Sequence, residues 1–139
     1  MSQRTLVVIK PDGVEMGFVD DIIYRYLDVG LKLRGRKRLR LTKEQAEEFY
    51  KEHAGRPFFA GLVLAMTSGP VEALVFDGKD AVEVVRKLNG ATDPREAESG
   101  TIRHDYRSAG GPFNTVHGSD SLEAALREIK LIGAYTAYS

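Results

Sequence analysis

Apolar residues along this chain change their spacing several times, and each change marks an element. Thr5 to Ile9 is β-branched and almost wholly apolar, which predicts a buried central strand. Lys10-Pro11-Asp12-Gly13 follows as a turn, with proline and glycine where turns favour them. Val19, Ile22, Ile23, Tyr26 and Leu27 then recur at helical spacing, and Gly30 supplies the stop. From Leu31 to Leu41 the period shortens to two. Leu31, Leu33, Gly35, Leu39 and Leu41 take one side and Lys32, Arg34, Arg36, Arg38 and Arg40 the other, with Lys37 the exception.

Thr42-Lys43-Glu44-Gln45 reads as a capping box, opening a helix with Ala46, Phe49 and Tyr50 inward and reaching about His53. Gly55-Arg56-Pro57 breaks it, and Phe58 to Met66 predicts a short apolar helix. After the Ser68-Gly69-Pro70 turn, Val71 to Phe76 is a second buried strand, ended by Asp77-Gly78. Val82, Val85 and Leu88 define a helix that stops at Gly90. Ala91 to Phe113 has little periodicity, and so long a loop in a compact domain is either functional or mobile. Thr115-Val116 forms a short strand. Leu122, Ala125, Leu126 and Ile129 then predict a helix from about Asp120 to Lys130, capped by Ser119 or Asp120. The segment beyond has no assignment. The sum is a βαββαβ plan with an extra helical pair between the second and third strands. That predicts an α+β, ferredoxin-like fold: a mainly antiparallel sheet with helices on one face.

Composition narrows the class. At 139 residues the chain is expected to be one domain, 1–139, and 42% hydrophobic with 29% charged residues reads as soluble and globular. Twenty basic and twenty acidic residues cancel, so net charge argues for neither nucleic acid nor membrane. With no cysteine there is no disulfide framework and no thiolate chemistry, which is compatible with a reducing cytoplasm. No secretory leader and no transmembrane stretch is expected.

The candidate chemistry centres on Asn114-Thr115-Val116-His117-Gly118-Ser119-Asp120. His117 falls at a strand-to-helix corner, where side chains are presented into a cleft. Glu128 lies about two turns into the following helix, within reach of the imidazole. One ring nitrogen held by a carboxylate and the other left free is what a nucleophilic histidine needs. On spacing alone, a satisfied structural histidine remains the alternative. Lys10, a cation at the end of a buried strand, is either a snorkelling surface lysine or a phosphate ligand on a rigid element. The basic face of the 31–41 strand is either an edge guarded by charge or a polyanion patch; the aromatic interleaving of base-stacking surfaces is missing.

Asn-x-x-His-Gly-Ser-Asp resembles the signature of the nucleoside diphosphate kinases. The resemblance extends over nearly the whole chain: Ile9-Lys10-Pro11-Asp12-Gly13-Val14, Arg56-Pro57-Phe58-Phe59, Thr67-Ser68-Gly69-Pro70, Gly90-Ala91-Thr92-Asp93-Pro94 and Gly100-Thr101-Ile102-Arg103 match in order and spacing. The family implies ping-pong transfer of a γ-phosphate from ATP to a nucleoside diphosphate through a phosphohistidine, with broad base acceptance. It implies His117 as nucleophile, Glu128 as its orienting partner and Ser119 near the ring. Lys10 would hold the transferred phosphate with support from Tyr50, and Arg86, Thr92 and Arg103 the distal phosphates. Phe58 would stack on the base and Asn114 bond the ribose. Mg2+ would be held mainly by nucleotide phosphates, with Asp120 reaching it through water. A cytoplasmic homo-oligomer, hexamer or tetramer built from dimers, is implied as well.

The cationic donors suit this reaction, since phosphoryl transfer needs in-line positioning and positive groups around developing charge. Imidazole, with an ordinary pKa of about 6.5, is largely neutral at pH 7 and attacks without a separate base. The chain also departs from the family pattern. Gly111 stands where the family has an apolar residue over the base, Pro112-Phe113 accompany an apparent one-residue insertion, and His104 replaces a small residue. Arg34, Arg36 and Arg38 occupy a strand that commonly helps form the dimer. A zinc site is disfavoured because His53, His104 and His117 lack ligand spacing. There is neither a Gly-x-Ser-x-Gly elbow around Ser119 nor a P-loop.

Overall fold

The computed structural model describes residues 2–108 and 113–133. Strand β1 (Ser2–Ile9) leads into a short helix α1 (Pro11–Glu15) and then α2 (Val19–Asp28). Strand β2 (Lys32–Leu39), helix α3 (Lys43–Phe49), a single 3-10 turn (Lys51–His53), helix α4 (Phe59–Thr67) and strand β3 (Val71–Lys79) follow. Helices α5 (Ala81–Asn89) and α6 (Ile102–Asp105), strand β4 (Val116–Gly118) and helix α7 (Leu122–Ile132) complete the described chain. The four strands form one sheet in the order β2-β3-β1-β4, every neighbouring pair antiparallel. That is the α+β, ferredoxin-like plan, with α3 and α4 as the inserted pair.

The sequence pattern predicts helices on one face of the sheet, whereas they cover both. Helices α2, α5 and α6 pack Ile22, Tyr26, Val85 and Ile102 against Val7, Ile9, Leu74 and Phe76. On the opposite face α3, α4 and α7 pack Phe49, Val63, Met66 and Ile132 against Leu6, Val8, Val71, Ala73 and Val75. The reason lies in β1 and β3, whose consecutive residues are apolar and must bury both sides of the strand.

Other boundaries move for local reasons. Pro11 sits in the first turn of α1, so Lys10-Pro11-Asp12-Gly13 is a helix start rather than a turn. Strand β3 runs on through Asp77-Gly78, because Arg4 and Gln3 of β1 pair with them. The capping box at Thr42 is complete, Thr42 Oγ1 accepting from Gln45 N and Gln45 Oε1 from Thr42 N. The cap of α7 is Ser121, whose Oγ accepts from Ala124 N at 3.0 Å, and neither Ser119 nor Asp120. Strand β2 carries a bulge between Leu33 and Gly35. Leu31 and Leu33 therefore join the α2 side and Leu39 and Leu41 the α3 side, not one common face.

Candidate active site

Strand β4 alternates like any strand, and that sets the site. Val116 faces the α2 side, opposite Ile9; His117 faces the α3 side, opposite Val8. There its ring enters a cleft of about 1270 Å³ lined by residues from both sides of the β4 edge. Lys10, Tyr50, Phe58, Arg86, Thr92, Arg103, Asn114, His117, Asp120 and Glu128 all line it, so nearly every predicted residue converges. Ser119 is fully buried behind them.

His117 Nε2 lies 2.9 Å from Glu128 Oε1, and Ser119 Oγ donates to the same oxygen at 2.7 Å. Burial works to raise the Glu128 carboxyl. The hydrogen bonds from His117 and Ser119 and the nearby positive charges outweigh it and hold Glu128 below the usual carboxylate range. An ionised carboxylate only accepts, so Nε2 donates its N–H to Glu128. Nδ1 makes no hydrogen bond among the described residues. Phe49 packs its ring at a steep angle to the imidazole, with centroids 4.7 Å apart, and Tyr50 does so at 6.4 Å.

Lys10 is only 5% exposed, and its Nζ donates to Asn114 Oδ1 at 2.7 Å. Asn114 Nδ2 donates in turn to Thr92 O at 3.0 Å. Burial, reinforced by the charge of Arg103, lowers the Lys10 ammonium to about 8, with Asp12 opposing the shift. Arg103 spends Nη1 and Nη2 on the carbonyls of Gly90 and Val116, each at 2.8 Å. Its Nε and the Tyr50 hydroxyl are buried without a hydrogen-bond partner. Buried polar groups are rarely left so. Burial also lowers Arg103, which keeps its charge as guanidinium does. Phe58 is 50% exposed, its ring backed by His53 at 5.3 Å and open on the cleft side. Arg86, Thr92 and Asp120 lie exposed on the rim.

Two devices around the cleft escape local patterning. Thr115 has φ +73°, and Val116 N donates to Asn114 O at 2.8 Å, which makes a γ-turn of the strained hand. Asp12 Oδ2 accepts from Thr115 N at 3.0 Å and from the Ser108 hydroxyl. The second device holds the four-residue helix α6, which carries Arg103. Asp105 accepts from Arg25 at 2.7 Å through Oδ2 and from Gly100 N at 3.1 Å through Oδ1, while Arg25 Nη1 donates to Gly100 O at 3.0 Å.

A family model described as nucleoside diphosphate kinase matches residues 3–134. The chain belongs to the nucleoside diphosphate kinase family. The nucleoside diphosphate kinase of Staphylothermus marinus is 53% identical over 131 residues, covering 94% of this chain and 92% of its own. That of Pyrococcus furiosus is 50% identical over 131 residues, covering 93% and 81%. Among solved structures, the Aquifex aeolicus nucleoside diphosphate kinase superposes with a TM-score of 0.93 at 39% identity, covering 99% of this chain and 98% of that one. The Halobacterium salinarum nucleoside diphosphate kinase, solved in complex with CDP, gives 0.90 at 48% identity, covering 94% and 87%. As a nucleoside diphosphate kinase the protein is an enzyme that acts on nucleotides with a divalent metal.

Three arginines of the basic strand find acidic partners within the chain. Arg36 and Arg38 both bond the buried Glu72, Arg36 also pairs with Asp20 at 3.5 Å, and Arg34 pairs with Asp77 at 3.6 Å. No helix among the described residues is long and apolar enough to cross a membrane. The departures at Gly110, Gly111 and Pro112 lie outside the described residues.

Proposed function

We propose that the protein transfers the γ-phosphate of ATP to a nucleoside diphosphate by a ping-pong reaction through phosphorylated His117. The observation that carries this reading is the His117–Glu128 pair: Nε2 is held at 2.9 Å, and Nδ1 is left free toward a cleft lined by Lys10, Arg86 and Arg103. His117 Nδ1 attacks the γ-phosphorus, the bond to the bridging oxygen breaks, and ADP leaves with that electron pair. A β-phosphate oxygen of the acceptor then attacks the phosphohistidine, and the nitrogen lone pair returns to the ring. Glu128 steadies the ring charge that develops in between, and Ser119 fixes Glu128.

Lys10 holds the transferred phosphate as a point charge and Tyr50 offers its unpartnered hydroxyl, while Arg86, Thr92 and Arg103 take the distal phosphates. Asn114, already on Lys10, bonds the ribose. The exposed Phe58 ring stacks on any base, which supports broad acceptance of nucleotides. The metal is Mg2+. Among the described residues no three His, Asp or Glu side chains cluster, and Asp120 stands exposed on the rim two residues beyond Gly118. That donor set fits an ion carried by phosphates and water, with Asp120 reaching it through water. Bound there, it neutralises phosphate charge. We also place the protein in the cytoplasm as one domain and a homo-oligomer, hexamer or tetramer built from dimers.

The test is intact mass at neutral pH after incubation with ATP and Mg2+. One acid-labile phosphate that maps to His117 and disappears on adding GDP, with GTP formed, is expected. A folded protein that takes up no phosphate overturns the mechanism.

A further inference from the structure

The γ-turn at Thr115 links the two halves of the site, Asn114 on one side and His117 on the other. A β-branched residue at φ +73° is strained, so something must hold it there. Three of its polar atoms are tied down: Thr115 O accepts from Lys10 N at 2.8 Å, Oγ1 donates to Tyr106 O at 2.7 Å, and N donates to Asp12 Oδ2 at 3.0 Å. The Asp12 bond alone uses a charged acceptor, and charge-assisted bonds are the stronger kind. Gly13 completes the contact, since a Cβ there would stand 2.8 Å from Thr115 O. Asp12 thus ties α1 to the turn that precedes β4, 103 residues away.

We propose that Asp12 is a positioning residue for phosphoryl transfer: its carboxylate clamps the strained turn between Asn114 and His117. The proposal rests on the phosphohistidine reading above. Of the charged groups around Lys10, Arg103 from α6 opposes its protonation and Asp12 from α1 favours it. Arg86 from α5, Tyr50 at the end of α3, His117 from β4 and Glu128 from α7 line the same cleft. The side chain that holds the turn is thus also one that favours the Lys10 ammonium.

Two substitutions separate the roles. Asp12→Asn keeps an acceptor for Thr115 N–H and removes the charge; Asp12→Ala removes both. Two readouts are made on each: hydrogen exchange of the Thr115 amide, and the rate of His117 phosphorylation by ATP across pH. Asp12→Asn is expected to keep Thr115 protected while the alkaline limb of phosphorylation moves to lower pH by about one unit. Asp12→Ala is expected to lose protection at Thr115 and phosphorylation together. Unchanged Thr115 exchange and unchanged phosphorylation in Asp12→Ala would overturn the proposal. If Asp12→Ala does not fold, Asp12→Ser, whose side chain is too short to reach the Thr115 N–H, takes its place, and wild-type Thr115 protection and phosphorylation in it overturn the clamp. Should the wild type take up no phosphate, the phosphohistidine reading fails, and Thr115 exchange in the variants still decides the clamp.

Discussion

Ser119 Oγ donates to Glu128 Oε1 at 2.7 Å from a fully buried position, on the same oxygen that receives His117 Nε2. The orienting carboxylate is itself oriented. Removing the hydroxyl in Ser119→Ala costs one hydrogen bond to a charged acceptor, about 1.5 kcal/mol. His117 phosphorylation is expected to slow about tenfold. Glu128→Ala frees the imidazole to take either tautomer and is expected to slow it more. Rapid-quench measurement of phosphoenzyme formation checks both; equal rates in Ser119→Ala and wild type would show that Glu128 needs no second anchor.

The burial of Lys10 predicts an alkaline limit. Its ammonium titrates at about 8 in the nucleotide-free protein, against 10.5 for an ordinary lysine. Charge is thus disfavoured in the fold, at a cost on the order of 3 kcal/mol below that value. The free-enzyme quantity kcat/KM should fall as pH rises through about 8. Native stability should rise over the same range, because the folded state gives up the proton before the unfolded one does. Opposite pH slopes for activity and melting temperature are the expected pair of results, and Lys10→Met should abolish the stability slope.

The clasp on α6 predicts an acid limit. The ring of His104 and the guanidinium of Arg25 hold the Asp105 carboxyl down at about 2, from an ordinary 3.8. A depressed carboxyl stabilises the fold above the unfolded value and loses that contribution as pH falls from about 4 through 2. Asp105→Asn should lower the melting temperature at pH 7, by an amount equivalent to about 1 kcal/mol, and flatten its acid dependence. Because the same helix carries Arg103, KM for nucleotide should rise in this variant more than kcat falls.

Gly118 has a steric role. A Cβ there would meet Asn89 Nδ2 at 2.7 Å and Val85 Cγ1 at 2.9 Å, and Asn89 is held by the Tyr26 hydroxyl. Overpacking of this kind costs about 1–3 kcal/mol. Gly118→Ala is expected to be destabilised by that amount in urea denaturation, and to lose activity as β4 shifts with His117.

What the sequence made legible was local or motif-bound. The helix after Ser121 and the capping box at Thr42 are written in neighbouring residues, and both appear in the fold, but Leu122 and Leu126 lie exposed while Ala124, Ala125, Glu128 and Ile132 turn inward. Lys10, Arg103, His117 and Glu128 reach one cleft as their motifs implied. Contacts across the chain leave no such trace. Nothing near Asp12 announces a bond to Thr115, and nothing near Thr115 announces a positive φ. Ser119, Asp120 and Ser121 are all competent caps, and only the register of β4 against β1 decides that Ser119 turns inward. The double coverage of the sheet was visible in the unbroken apolar run of β1, whose alternate residues supply both cores.

The bulge in β2 works as a change of parity. Ahead of Arg34, odd-numbered residues belong with α2; beyond it they belong with α3. One residue without a partner on β3 thus lets a single strand serve two cores in succession. It also turns Arg36 and Arg38 to the α2 side, opposite Leu74 and Glu72, where Glu72 can receive them. Deleting Arg34 would not merely shorten the strand. It would exchange the inward and outward sets over one half of it, stranding two guanidinium groups against a core and Glu72 without its counter-charges.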